Sequence, residues 1–124
     1  MLKKAAMLFG VVFILIGILG FIPGITTSDN LLLGLFKVDA LHNIVHLVSG
    51  IAALAAAMYT ESGAKTYFQV FGVVYALVAI LGFVYMDDSI LGFLVNNMAD
   101  TLLHTVIALA SLYLGFAVKE EATV

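Results

Sequence analysis

Four runs of mostly apolar residues, each near the length that crosses a bilayer, dominate this chain: Ala5 to Ile22, Leu41 to Tyr59, Tyr67 to Met86 and Ala99 to Val118. A hydrocarbon core of about 30 Å is crossed by about 20 helical residues. Lipid offers peptide groups no water to bond, so each run is driven to a helix that satisfies its own backbone. Composition agrees: of 124 residues, 64% are hydrophobic and 10% charged. A water-soluble domain of this size has too little interior for so much apolar surface. The expected architecture is an all-α integral membrane four-helix bundle. Five lysines, no arginine and a net charge of -3 leave no basic patch for nucleic acid. The absence of cysteine excludes disulfides, thiolate-ligated clusters and cysteine nucleophiles.

The first run follows Lys3 and Lys4, as the core of a signal peptide would. No small-x-small cleavage site follows, and Pro23-Gly24-Ile25-Thr26-Thr27 reads as a turn, so the run is expected to stay as a span. Ser28-Asp29-Asn30 and Asp87-Asp88-Ser89 carry helix-capping residues. They introduce two apolar pieces too short to span, Leu31 to Val38 and Ile90 to Val95. Thr60 to Thr66 reads as a polar loop, and Lys119 to Val124 as a charged tail.

The chain also repeats itself. Phe9-Gly10-Val11-Val12-Phe13 matches Phe71-Gly72-Val73-Val74-Tyr75, and Ile18-Leu19-Gly20-Phe21 matches Ile80-Leu81-Gly82-Phe83. With a shorter connection, Leu32-Leu33-Gly34-Leu35 matches Ile90-Leu91-Gly92-Phe93. In that register Asp39 pairs with Asn97, His42 with Asp100, His46 with His104, Ala53 with Ser111 and Ala57 with Gly115. The expected bundle is therefore two parallel tandem repeats of helix, short apolar segment, helix. Residues 1–60 form the first, and residues 61–124 form the second with its tail, within one structural domain. Each repeat crosses twice, so the two are related by an axis along the membrane normal. Lys3, Lys4, Lys65 and Lys119 flank one side and Lys37 the other, which places both termini in the cytoplasm.

On one helix face Asp39, His42 and His46 are followed by Gly50, Ala53 and Ala57; the copy carries Asn97, Asp100, His104, Ala108, Ser111 and Gly115. Small residues let membrane helices approach closely. The second and fourth helices are thus expected to pack on these faces, with the polar ends opposed and His42 near Asp100. Measured from Tyr59, a rise of about 1.5 Å per residue puts His46 roughly 20 Å up the helix, inside the outer leaflet. Two readings follow. In one, the histidines with Asn43 and Asn97 are a hydrogen-bonded cluster that fixes helix register, with Asp39 and Asn97 as helix caps. In the other, His42, His46, His104, Asp100 and Asp39 hold a metal ion such as Zn or Cu, since His-x-x-x-His on one face is a recurrent ligand spacing. Haem held by histidines of two helices is a further candidate. A proton path is disfavoured because the inner halves carry almost no polar residues. A hydrolase is disfavoured because neither Ser28 nor Ser89 sits in a nucleophile elbow.

Pro23-Gly24-Ile25-Thr26-Thr27, Leu32-Leu33-Gly34-Leu35-Phe36-x-Val38, Leu41-His42-Asn43-x-Val45-His46-Leu47 and Asn97-x-x-Asp100 with His104 resemble the bacterial membrane family known as domain of unknown function 4383. The resemblance covers nearly the whole chain. It implies a four-helix protein of the bacterial plasma membrane with no assigned activity. The expectation is a small, non-enzymatic multi-pass protein contacting lipid, as a homo-oligomer or a subunit of a larger membrane complex. The alternative is a metal- or haem-binding protein with a redox, sensing or ion-handling role.

Overall fold

The computed structural model of the chain describes residues 1–120. Helix α1 spans Leu2–Leu19, α2 Ala40–Tyr59, α3 Glu61–Tyr85 and α4 Met98–Leu112, and α4 runs on through a π-helical turn, Tyr113–Ala117. Taken with that turn, all four are long and apolar enough to cross a membrane. Large apolar side chains such as Leu8, Ile51, Ile80 and Leu109 point outward, as lipid requires. Of the tail expected over Lys119 to Val124, only Lys119 and Glu120 are described; the other residues lie outside the described ones.

Helix starts follow capping chemistry. The Asp39 carboxylate accepts from the His42 amide at 2.9 Å and opens α2. Asn97 and Asp100 form a reciprocal capping box at the start of α4, with bonds of 2.9 and 3.1 Å. Thr60 Oγ accepts from Gly63 N at 2.8 Å, so α3 begins at Glu61 and not beyond Thr66. The polar loop expected over Thr60 to Thr66 is therefore helical after its first residue. Hydropathy marks where lipid contact begins, whereas the cap marks where the helix begins.

Glu61 also ties α3 to α1. Its carboxylate accepts from Leu2 N at 3.2 Å and Lys3 N at 3.0 Å, two amides that α1 itself leaves without partners. Replacing Glu61 with alanine is expected to cost on the order of 1 kcal/mol, the usual worth of a lost cap. Thermal unfolding in detergent checks this; an unchanged midpoint would show that the bridge contributes nothing.

The two short apolar pieces are turns and not helices. Strand β1, Leu31–Leu32, pairs antiparallel with β2, Phe36–Lys37, around Leu33 and Gly34 at φ of 55° and 74°. Ile90 bridges Leu94 around Leu91 and Gly92 at φ of 53° and 82°. A helix of one or two turns does not recover the cost of its own nucleation. Glycine in the left-handed region favours the reversal instead. The caps expected at Ser28-Asp29-Asn30 and Asp87-Asp88-Ser89 thus lead into turns.

Helix pairing differs from the expected arrangement. The small face of α2 lies on α1: a Cβ on Gly50 would sit 2.8 Å from Gly10 O and 2.9 Å from Ile14 N. Ala53 and Ala57 pack with Leu2, Ala6 and Phe68. Gly115 lies against α3, where a Cβ would meet Gln69 N at 2.7 Å. Thus α1 pairs closely with α2 and α3 with α4, while α2 and α4 meet through histidine rings. Gly10, Gly17, Gly72 and Gly82, on the two helices without a polar stripe, supply the other half of each close contact. The π turn leaves carbonyls for α3 to satisfy: Gln69 Nε2 donates to Gly115 O at 2.9 Å, and Lys65 Nζ to Val118 O.

Candidate metal centre

Helix α2 carries His42 and His46 one turn apart, and α4 carries His104. All three are buried, at 1%, 3% and 2% exposure, so whatever their rings bond must lie within the bundle. Their ring centroids lie 4.6 Å (His42–His46), 5.5 Å (His42–His104) and 6.1 Å (His46–His104) apart. One nitrogen from each falls within 4.8 Å of the others.

Aromatic rings fix the lower two histidines. Phe13 of α1 lies 5.8 Å from His46, and Tyr75 of α3 lies 5.6 Å from His104. Phe13 and Tyr75 meet at 5.4 Å, closing a floor beneath the imidazoles. Ser49 Oγ donates its only proton to Val45 O at 2.8 Å. The Tyr75 hydroxyl, 2.9 Å away, must therefore be the donor to Ser49.

His42 is oriented by backbone. Its Nδ1 lies 3.1 Å from Val95 O, and a carbonyl only accepts, so Nδ1 carries the proton. The Lys37 backbone bonds the ring as well. Metal-ligating histidines are held in this way, the outer nitrogen donating to a carbonyl or carboxylate. His46 has no such partner: among the described residues neither of its nitrogens finds a hydrogen bond, and neither does His104 Nδ1. A buried polar atom without a partner is uncommon and points to an ion, a water or a ligand.

The other predicted site residues are placed differently. Asp39 caps α2. Asp100 accepts from Asn97 N, and the Lys37 peptide also bonds its carboxyl. Both acids stand about one turn outward from the histidines on the same helices, and the His42–Asp100 contact expected from the sequence gives way to His42–Val95. Asn97 caps α4 and donates to Leu35 O at 2.9 Å. Asn43 lies against Gly20, where a Cβ would overlap its side chain, and its Oδ1 is unpartnered among the described residues. Sequence reasoning missed Phe13, Val95 and the Tyr75–Ser49 pair as parts of the site. The repeat match of Phe13 with Tyr75 was a usable signal, but a backbone carbonyl such as that of Val95 leaves none.

A cavity of about 210 Å³ opens beside the triad between α2 and α3, reaching His42, His46, His104, Ser49 and Tyr75. On the opposite flank, between α1 and α4, a cavity of about 320 Å³ is lined by Phe9, Val12, Phe13, Ile16, Leu103 and Ile107 among others, with no polar side chain.

These features define a small chain of four candidate membrane-spanning helices enclosing a buried imidazole triad. The chain belongs to the family described as domain of unknown function (DUF4383), which matches residues 3–117. No curated protein and no solved structure matches it.

Proposed function

We propose that this protein binds a transition-metal ion, Zn or Cu, through His42, His46 and His104. The observation that carries the reading is the set of unpartnered imidazole nitrogens, which a cluster serving only as hydrogen-bonded glue would have paired. Zn–N bonds of about 2.0–2.1 Å require the three nitrogens to draw together by on the order of 1 Å, within the reach of side-chain rotation. Three protein ligands leave a fourth position open, as catalytic and transport sites do and closed structural sites do not. Asp39 and Asp100, outside the ligand set, offset the ion's charge from about one turn away. A bare ion is favoured over haem, because the adjoining cavity of about 210 Å³ is small even for a drug-sized ligand.

The test is elemental analysis of protein purified without affinity metals, followed by Zn and Cu titration. About one ion per chain, removed by chelator, is the expected result. A chain that holds no ion and does not respond to added Zn or Cu would return the triad to a structural role.

The same reading takes the bundle as two parallel copies, residues 1–60 and 61–124, in a bacterial plasma membrane with both termini inside. Its support is geometric as well as sequential. The left-handed pairs Leu33-Gly34 and Leu91-Gly92 occupy matched positions, as do the close contacts of Gly20 with Asn43 and of Gly82 with Thr101. The lysine bias supports the orientation. A cysteine at exposed Ser62 should react with a membrane-impermeant maleimide only in opened cells, and one at exposed Ser28 in intact cells. Reversed labelling would overturn the orientation.

A further inference from the structure

The ligands that the triad offers carry no charge. A histidine binds metal as neutral imidazole. Among the described residues no carboxylate and no fourth nitrogen ligand joins the three. Asp39 accepts from His42 N at 2.9 Å and Asp100 from Asn97 N at 3.1 Å, so both carboxylates stay at the helix ends. Phe13 and Tyr75 close one side of the imidazoles. Apart from Ser49, Tyr75 and the histidines, the neighbouring cavity is lined by apolar side chains such as Phe71, Val74, Val78 and Leu94. Little in these surroundings screens an ion. The Born cost of burial rises with the square of the charge, so a divalent ion costs about four times as much to bury as a monovalent ion of the same size.

The nearest charges point the same way. Asp39 acts through space on His42, and Lys37 on Asp100. Two carboxylates and one ammonium leave a single negative charge, which a monovalent cation balances and a divalent one exceeds. Asp87, which accepts from Met98 N, is exposed at the outer end, where water screens it. Ligand number agrees: zinc sites are almost always four-coordinate, whereas Cu(I), with the same filled d shell, is stable with three ligands. Imidazole suits both metals, so the nitrogen ligands alone do not decide between them.

We infer that the triad binds copper as Cu(I) in preference to Zn(II), with the charge of the ion as the selecting property. The inference rests on the metal reading and narrows it to a monovalent ion.

The experiment uses the full chain, purified without affinity metals and stripped with chelator, in lipid nanodiscs under nitrogen. Cu(I), supplied as its acetonitrile complex, and Zn(II) compete for the protein in equal amounts, and bound metal is measured after desalting. Copper is expected to exceed zinc by at least about ten-fold, because the second charge is buried without a counter-charge. X-ray absorption of the bound copper should show Cu(I) with three nitrogen neighbours. His104→Glu exchanges a neutral ligand for an anionic one and creates the two-histidine, one-carboxylate set that suits zinc. It should move the zinc-to-copper ratio toward zinc by at least about ten-fold. Lys37→Gln removes a positive charge and leaves the ligands and the backbone in place. It should move the ratio in the same direction by a smaller factor, and it decides the matter if His104→Glu does not fold. Zinc displacing copper from the wild type, or a ratio that no folded variant moves, would overturn the selection of Cu(I) while leaving the metal centre standing. A wild type that takes up neither ion would overturn the metal centre itself, and the selection with it.

Discussion

Replacing Gly115 with alanine is expected to destabilise the bundle severely, whereas replacing Gly63 with alanine should leave it nearly unchanged. A Cβ at Gly115 would meet three backbone atoms of α3: Gln69 N at 2.7 Å, Phe68 C at 2.9 Å and Gln69 Cα at 3.0 Å. Backbone in a helix cannot step aside as a flexible side chain can, so α3 and α4 must separate along their contact. Overpacking by a methyl group costs about 1–3 kcal/mol even where side chains can adjust, and here the neighbours are fixed. Separation would also stretch the Gln69–Gly115 and Lys65–Val118 bonds that satisfy the π turn. At Gly63 the nearest atoms to an added Cβ are Thr60 Oγ at 3.3 Å and Ala56 O at 3.6 Å, and the residue is only partly buried. There a change within about 0.5 kcal/mol is expected. Thermal unfolding of both variants in one detergent decides. Equal midpoints would mean that the close approach of α3 and α4 contributes little to stability.

His46→Asn and His104→Gln are each expected to abolish metal binding while the fold persists. An amide is a poor ligand for Zn or Cu, and two imidazoles without a third cannot hold the ion tightly. Affinity should fall by more than about 100-fold, beyond the ~10–100-fold that loss of an outer partner costs. Asp100→Asn separates the roles within the site. Its amide oxygen can still accept at the helix start, so α4 should begin as before and metal should be retained with affinity reduced at most about 10-fold. Isothermal titration and elemental analysis of the three variants provide the check. Loss of metal in Asp100→Asn, equal to that in His46→Asn, would make the carboxylate a ligand and displace one histidine from the proposed set.

The four spans, their number and their order were legible in the residues alone, because lipid imposes a length and an apolar content that few other structures share. So were the caps at Asp39, Asn97 and Asp100, and the nearness of His46 to His104, since capping and helical spacing act over a few residues. The helix partners were not legible. The small face at Gly50, Ala53, Ala57 and Gly115 announces a close contact but does not say with which helix. The answer depended on Gly10, Gly17, Gly72 and Gly82 lying opposite at matching depth, a relation between segments far apart in sequence. The short apolar pieces misled for a related reason: capping residues ahead of them suggested helices, and only the left-handed geometry at Leu33-Gly34 and Leu91-Gly92 turns them back. The chemistry of the site divides in the same way. Sequence determined which ionisable groups fall within the candidate spans. Tertiary structure alone decided that the carboxylates are spent on helix ends and peptide groups, that a backbone carbonyl orients His42, and that His46 finds no partner among the described residues beside a cavity in the flank of the bundle. Hydrogen bonds reach about 3 Å, and which groups come within that reach depends on how whole helices are set against one another.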